Sequence, residues 1–253
     1  MIDLHSHLLP GVDDGSRSPE QSVGVLREMA KAGVTDVCLT PHMRAEEVEK
    51  GPPLKHDKAY EALMAVAPDA PRLHRGAEIM LDRPLAKDAS KIRRVSLGGT
   101  RYILVEFPRM VALGAVSNAL ARVKEAGLIA VVAHPERYSC CAPSAVERWR
   151  EAGALMQLDA TTLFRSSARG VRVRELLERG LGDIIAGDNH GDTRSVAAGF
   201  KFLVEQEGIQ QAELLTVMNP AAILRDEPVS PVPPIRIKQS LIQRLRVLLE
   251  GEE

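Results

Sequence analysis

Residues 128–138 read LIAVVAHPERY. From Leu128 to Ala133 every position is apolar, with no polar alternation. That pattern suits a strand buried on both faces, as the strands of parallel sheets are. At its carboxyl end the run hands over to a histidine, His134, and a Pro-Glu-Arg turn. A buried strand ending on a chemically active residue is the repeating unit of (β/α) barrels, whose active sites gather at the carboxyl ends of the strands.

The same unit recurs in both directions. β-rich runs cover 2–7, 36–40, 72–81 and 101–107 upstream, and 155–159 and 183–186 downstream. Helical spacing is found near 55–67, 112–126, 144–151, 171–179, 195–206 and 211–217. The first helix has a clear start: Ser18 as N-cap, Pro19 at the first position, Gln21 to complete a capping box, and Gly33 as the stop. Seven strand–helix alternations predict an α/β fold with a parallel sheet closed as a barrel, and 253 residues suit one such domain. The barrel is expected to occupy 1–227. A proline-rich spacer, PVSPVPP at 228–234, leads to a final amphipathic helix with Ile237, Leu241, Leu245, Leu248 and Leu249 as its stripe. That helix either covers an apolar surface of the barrel or serves docking and homo-oligomerisation.

The placement of the reactive residues is the informative feature. His5 and His7 end the first strand, His42 follows the second, and Glu78 sits in the third. Glu106 ends the fourth and His134 the fifth, while Asp188 and His190 follow the seventh. The sixth offers only Asp159. In a barrel these residues, almost two hundred positions apart, converge on one mouth. Histidines and carboxylates together ligate Zn, Mn or Fe, and so many donors suit two or three ions sharing a bridging carboxylate. A lone His-x-His is a weak signal; five of the seven histidines at strand ends is a strong one. The other two, His56 and His74, read as ordinary surface or strand residues.

Composition excludes several functions. The net charge of -1 and 3% aromatic content argue against a nucleic-acid partner. Three cysteines, two of them adjacent at Cys140-Cys141, do not form a secreted disulfide framework. With no signal-peptide layout and no apolar run long enough to span a bilayer, a cytoplasmic protein that is not an integral membrane protein is expected. Cys38 and Arg44 match the C-x5-R spacing of thiol-dependent tyrosine phosphatases. Cys38 lies inside a predicted buried strand, however, and the interval has no glycine to cradle a phosphate.

The segments MIDLHSHLLPGVDDGSRS (1–18), TPHMR (40–44), GAEI (76–79), YILVEFP (102–108), VVAHPERY (131–138) and Asp188-Asn189-His190 resemble, in order, elements of the PHP (polymerase and histidinol phosphatase) superfamily. More narrowly, the chain resembles the bacterial manganese-dependent protein-tyrosine phosphatases encoded with capsule and exopolysaccharide genes. Asn219-Pro220 resembles a further element of that family.

The resemblance implies a distorted, TIM-like (β/α)7 barrel with a trinuclear centre at the strand ends. His5, His7, Glu78 and Asp188 would hold one ion. Glu78, Glu106 and His134 would hold a second, and Asp14, His42 and His190 a third, with Asp13 an alternative to Asp14. Manganese is the expected metal, with Fe, Zn or Co acceptable to the same donors. Arg137 would bind the substrate phosphate, with Arg44 and Arg194 as further contacts, although the family's arginine near Arg194 falls one position later. In-line attack on phosphorus by metal-activated water is expected, with His42 or His190 as proton donor. The implied substrate is a phosphotyrosine protein, in particular a bacterial tyrosine kinase controlling polysaccharide export. A small-molecule phosphatase such as histidinol-phosphate phosphatase, a PHP-type nuclease and a non-catalytic module are the competing readings.

Overall fold

The computed structural model describes residues 1–48, 50–85 and 92–238. The apolar run at 128–133 yields a strand, Ile129–Ala133, that is hydrogen-bonded on both edges to parallel neighbours. In chain order the strands are β1 (Ile2–Ser6), β2 (Asp36–Leu39), β3 (His42–Arg44), β4 (Arg72–Arg75), β5 (Glu78–Met80), β6 (Tyr102–Glu106), β7 (Ile129–Ala133), β8 (Leu155–Asp159) and β9 (Ile184–Ala186). All their pairings are parallel, in the orders β1-β2-β4 and β3-β5-β6-β7-β8-β9.

Nine strands make seven spokes, because the second and third regions are each broken in two. The strand expected at 36–40 stands as β2, with β3 added beyond it, and the continuous strand expected at 72–81 is corrected to β4 and β5. Pro41, which has no N–H to give a ladder, stands at the first break, and Gly76-Ala77 at the second. The ring closes between β1 and β9. There the His7 amide donates to the Asn189 carbonyl at 2.7 Å, and the Gly187 amide donates to the Asp3 carboxylate at 3.0 Å. The result is the distorted (β/α) barrel.

Period-two alternation divides the strands. Leu104, Val131, Ala133 and Ile184 pack with Cys38 in one cluster that fills the ring. Ile103, Val105, Val132, Met156, Leu158 and Ile185 join the larger cluster under the helices. Those helices are α1 (Pro19–Lys31), α2 (Ala45–Val48), α3 (Leu54–Met64), α4 (Leu113–Glu125), α5 (Pro143–Glu151), α6 (Ala168–Glu178), α7 (Val196–Glu205), α8 (Ile209–Glu213) and α9 (Asn219–Leu224). Leu26, Val116, Trp149, Val173 and Leu203 supply their buried faces. No helix among the described residues is long and apolar enough to cross a membrane.

Ser18 caps α1 as expected, accepting from the Gln21 amide at 3.3 Å. The capping box is incomplete, because Gln21 spends its side chain elsewhere. Its oxygen accepts from the Arg17 amide at 2.9 Å, and its nitrogen donates to the Gly191 carbonyl at 2.8 Å. The helix expected at 211–217 continues from α8 through a π-helical turn, Leu214–Met218, into α9. Pro220, lacking an N–H, sits where the regular ladder would otherwise resume. The Asn219 amide is buried and bridges the carbonyls of Asp183 and Ser230, each at 2.9 Å. The segment after Pro228 is irregular but packed, with Val232, Ile235 and Ile237 buried in the main cluster. Ile237 therefore lies in this extended stretch. The rest of the expected final stripe, Leu241, Leu245, Leu248 and Leu249, lies outside the described residues.

Candidate metal centre

His5 and His7 lie two residues apart at the end of β1, so both rings turn the same way. Their Nε2 atoms are 3.1 Å apart. Each is 3.2 Å from Glu78 Oε2 at the start of β5 and 3.3 Å from Asp188 Oδ1 beyond β9. Donors at that mutual spacing suit a tetrahedral set about 2 Å from a common cation.

The outer nitrogens select the tautomer that each ring takes when neutral. The Gln157 amide nitrogen donates to the Leu158 carbonyl at 2.9 Å, so its oxygen faces His5 and accepts from Nδ1 at 2.9 Å. His7 Nδ1 donates to Asp13 Oδ2 at 2.9 Å. Both Nδ1 atoms thus carry hydrogen, and in the neutral rings both Nε2 lone pairs point inward. Metal-binding histidines are oriented in this way.

Glu78 connects this set to the rest of the mouth. Its Oε1 is 2.9 Å from His134 Nε2, and its Oε2 is 3.1 Å from His42 Nδ1. His42 Nδ1 is also 3.2 Å from Glu106 Oε1, while its Nε2 is 3.3 Å from Asp14 Oδ1. Asp14 Oδ1 lies 3.5 Å from His190 Nε2. All nine expected ligands therefore meet at one mouth. Four overlapping groups of donors result: His5-His7-Asp188, His5-Glu78-His134, His42-Glu78-Glu106 and His7-Asp14-His42-His190. Glu106 falls with His42 and Glu78 rather than with His134. Asp14 faces the donors, whereas Asp13 stands behind His7. Glu78 Oε2 is buried amid three imidazole nitrogens at 3.1–3.2 Å without a well-aligned hydrogen bond, a position that a cation, or protons on those rings, must satisfy. The donor set fits divalent metal.

Backbone geometry is spent on this arrangement. His134 and Asp188 follow β7 and β9 with φ of 33° and 47°, a left-handed conformation uncommon outside glycine. Strain of this kind persists where the surroundings demand it, and it turns both side chains into the mouth. Gly15 packs against His7 so closely that a Cβ would lie 2.0 Å from the His7 carbonyl oxygen. Only glycine lets the Asp13-Asp14 loop approach.

Charge follows from the packing. Burial would depress His5 and His7, but facing carboxylates prevail and raise both: Glu78 and Asp188 at His5, and Asp13 first, then Asp188 and Glu78, at His7. Burial likewise opposes the rise of His42 to about 10, which Glu106 and Glu78 produce. Glu78 is held well below the carboxylate range, against burial, by His5, His134 and His42. Asp188 is lowered too, against burial, by His5, His7 and Arg137. Burial and the neighbouring His7 lower His190. Without a cation, the cluster gathers protons instead; metal binding and proton release are thereby linked.

Arg137 lies in the turn after β7, beside the same mouth. Its Nη2 donates to Asp159 Oδ2 at 2.6 Å and to Asp188. Asp159 is itself clamped, accepting from the Thr161 amide at 2.7 Å. Arg194 Nη1 stands 3.8 Å from Asp188 Oδ2, while its Nε donates to Asp192. A cavity of about 200 Å³ opens over the donors and is lined additionally by Phe107, Arg109, Arg137 and Tyr138. Arg44 does not line it; that side chain is exposed over an adjacent hollow shared with Glu47 and Asp82.

The family model described as "Capsular polysaccharide synthesis, CpsB/CapC" matches residues 1–225. The chain belongs to this CpsB/CapC family. It is 28% identical to the tyrosine-protein phosphatase CpsB of Streptococcus pneumoniae, over 90% of this chain and 99% of that protein. It is 27% identical to the tyrosine-protein phosphatase YwqE of Bacillus subtilis (strain 168), over 94% and 97%. Among solved structures, one from work on YwqE and CpsB, described as unique metal-dependent tyrosine phosphatases, matches with a TM-score of 0.76 at 26% identity. The match covers 94% of this chain and all of that one. The phosphotriesterase of Mycobacterium tuberculosis, with a TM-score of 0.53 and 12% identity over 84% of this chain and 86% of that one, shares the fold alone.

Several side chains of this CpsB/CapC member were not singled out by the sequence. Gln157 orients His5, yet an amide within a strand carries no distinguishing signal. Asp159 was visible at the sixth strand end, and its role emerges only from its bond to Arg137. Arg109, three residues past Glu106, lines the metal cavity. Glu136 does not pair with Arg137; it is fully buried, and burial beside Asp159 pushes its carboxyl up to about 8. His74 pairs with Asp36 at 2.8 Å. His56, read as a surface residue, is buried in α3. Cys38 is fully buried in β2, and burial pushes its thiol far from a reactive thiolate, as the sequence suggested.

Proposed function

We propose that this CpsB/CapC family member is a metal-dependent protein-tyrosine phosphatase. The observation that carries the reading is Glu78, whose two buried oxygens face His5, His7, His42 and His134 beside an arginine able to take a phosphoryl group. Two or three divalent cations, manganese first among them, would be held within the groups His5-His7-Asp188 with Glu78, His42-Glu78-Glu106 with His134 at the other Glu78 oxygen, and Asp14-His42-His190 with His7. When bound, such ions supply Lewis-acid neutralisation of phosphoryl charge and a nucleophile from water near neutral pH.

The protein's own groups do the remainder. Arg137 engages its carboxylates through Nη2, leaving the N–H groups of Nε and Nη1 for phosphoryl oxygens. Asp159 fixes the direction of that guanidinium. Arg109 and Arg194 add positive charge at the rim. A phenolate, with a reference pKa of ~10, leaves more readily than an alkoxide and needs little protonation.

The protein substrate is inferred from the phosphatase names of the relatives and the family's capsular description; a tyrosine kinase controlling polysaccharide export is the partner proposed. Three cysteines without a disulfide suit a reducing cytoplasm. Metal analysis of the purified protein, paired with turnover of a phosphotyrosine peptide, histidinol phosphate and single-stranded DNA, tests the reading. Manganese-dependent hydrolysis of the peptide is expected. A strong preference for histidinol phosphate or DNA, or full turnover by metal-stripped protein, sinks it.

A further inference from the structure

A second and larger cavity, about 620 Å³, adjoins the metal cavity and shares Arg109 and Arg137 with it. Its walls carry Arg109, Arg137, Arg165, Arg169, Arg172 and Arg194 against a single carboxylate, Asp159. Asp159 is already committed to Arg137. Among the described residues no carboxylate oxygen lies within 4.0 Å of the guanidinium groups of Arg109, Arg165, Arg169 or Arg172. The α6 amino terminus, capped by Ser167, opens onto the same space and adds its dipole. Burial, with Arg109, Arg137 and Arg172 nearby, lowers the Arg169 guanidinium, the mark of like charges crowded together. A chain of net charge -1 thus concentrates uncompensated positive charge on one side of the mouth.

We infer that this arginine trough receives acidic side chains flanking the phosphotyrosine, so that the enzyme selects phosphotyrosine within an acidic stretch of polypeptide. The inference rests on the phosphatase reading and adds its substrate preference. Phosphotyrosine seated on Arg137 places the neighbouring peptide residues over the shared wall, where carboxylates meet the guanidinium groups of Arg109, Arg165 and Arg169; Arg172, whose Nη1 donates to the Glu136 and Tyr138 carbonyls, adds charge from behind. The trough is a local hollow with few aromatics to stack on, which favours a short acidic peptide over a nucleic-acid strand.

The test uses the full-length, manganese-loaded protein and two phosphotyrosine peptides, flanked on both sides by three glutamates or by three alanines. Free phosphotyrosine normalises the rates. Two or three partly exposed guanidinium–carboxylate pairs amount to about a tenfold advantage in kcat/KM for the acidic peptide, carried by KM and reduced at high salt. In an Arg165→Gln/Arg169→Gln protein the ratio is expected to fall toward one. A thermal melt identical to wild type attributes that loss to charge rather than unfolding. Equal kcat/KM for both peptides in the wild type overturns the inference while leaving the phosphatase intact. If no phosphotyrosine substrate is turned over, the phosphatase reading itself fails. Stronger inhibition by an oligonucleotide than by the unphosphorylated acidic peptide makes the trough a nucleic-acid seat and equally overturns the inference.

Discussion

The metal mouth and the arginine trough share a wall, yet they are built in opposite ways. The mouth hangs on strand ends. His5, His7 and Glu78 are buried and each points where a ring partner or neighbouring strand holds it. The trough is made by loops and the first turn of α6, with Arg109 and Arg165 exposed. Short, stiff side chains on a closed sheet place donors to within tenths of an ångström, as a metal requires. Long side chains on loops supply charge over a wide area, which suffices to attract and orient a flexible anion. Chemistry and selectivity are thereby separable, and substitutions in the two regions should differ in kind as well as in size.

The largest effect belongs to the mouth. Glu78→Gln removes the carboxylate common to two donor groups, and turnover is expected to fall roughly a thousandfold or more, with metal content by elemental analysis falling alongside. A loss of only tenfold would erase the distinction between the regions. Arg137→Lys, at the shared wall, should lower kcat/KM roughly a hundredfold, because an ammonium cannot hold both carboxylates and a phosphoryl group as the planar, multi-donor guanidinium does. Activity equal to wild type would remove Arg137 from phosphate binding. Asp13→Ala frees His7 Nδ1, and manganese affinity measured by competition with a chelator is expected to weaken about tenfold or more. The trough variants come next, with the roughly tenfold selectivity already stated.

The smallest effect lies away from both regions. His56 is buried with its Nε2 unpartnered among the described residues. Burial and Lys55 lower its pKa. The folded protein therefore favours neutral His56. Its contribution is complete above the unfolded value of about 6.5 and is lost as pH falls through that value toward the folded one. His56→Leu should flatten this slope in urea midpoints measured between pH 5 and 8. An unchanged slope would place His56 in a solvated position.

Much of this was legible in the primary order because barrels are periodic. The unbroken apolar run before His134 announced a buried parallel strand, and seven such handovers announced the ring. Donor types at strand ends announced the mouth, since their convergence follows from topology and needs no coordinates. Less was legible where meaning depends on a partner distant in sequence. His56 and His74 look alike as letters; one is buried without a partner and the other is paired to Asp36. Gln157 is one polar residue among many until its amide is seen holding His5. The net charge of -1 hid the trough, because a whole-chain sum discards position.

By itself, then, the sequence determined the seven strand regions, the parallel α/β class and which histidines and carboxylates stand at the strand ends, while leaving Asp13 and Asp14 undecided. Hydrophobic period and residue chemistry are local properties that a linear chain carries openly. The tertiary structure alone decided how those donors divide, with Glu106 beside His42 and Asp13 behind His7. It alone also gathered six arginines into one hollow. Distances of a few ångströms between residues a hundred positions apart arise from the ring's closure and the twist of its strands, and no pattern along the chain encodes them separately.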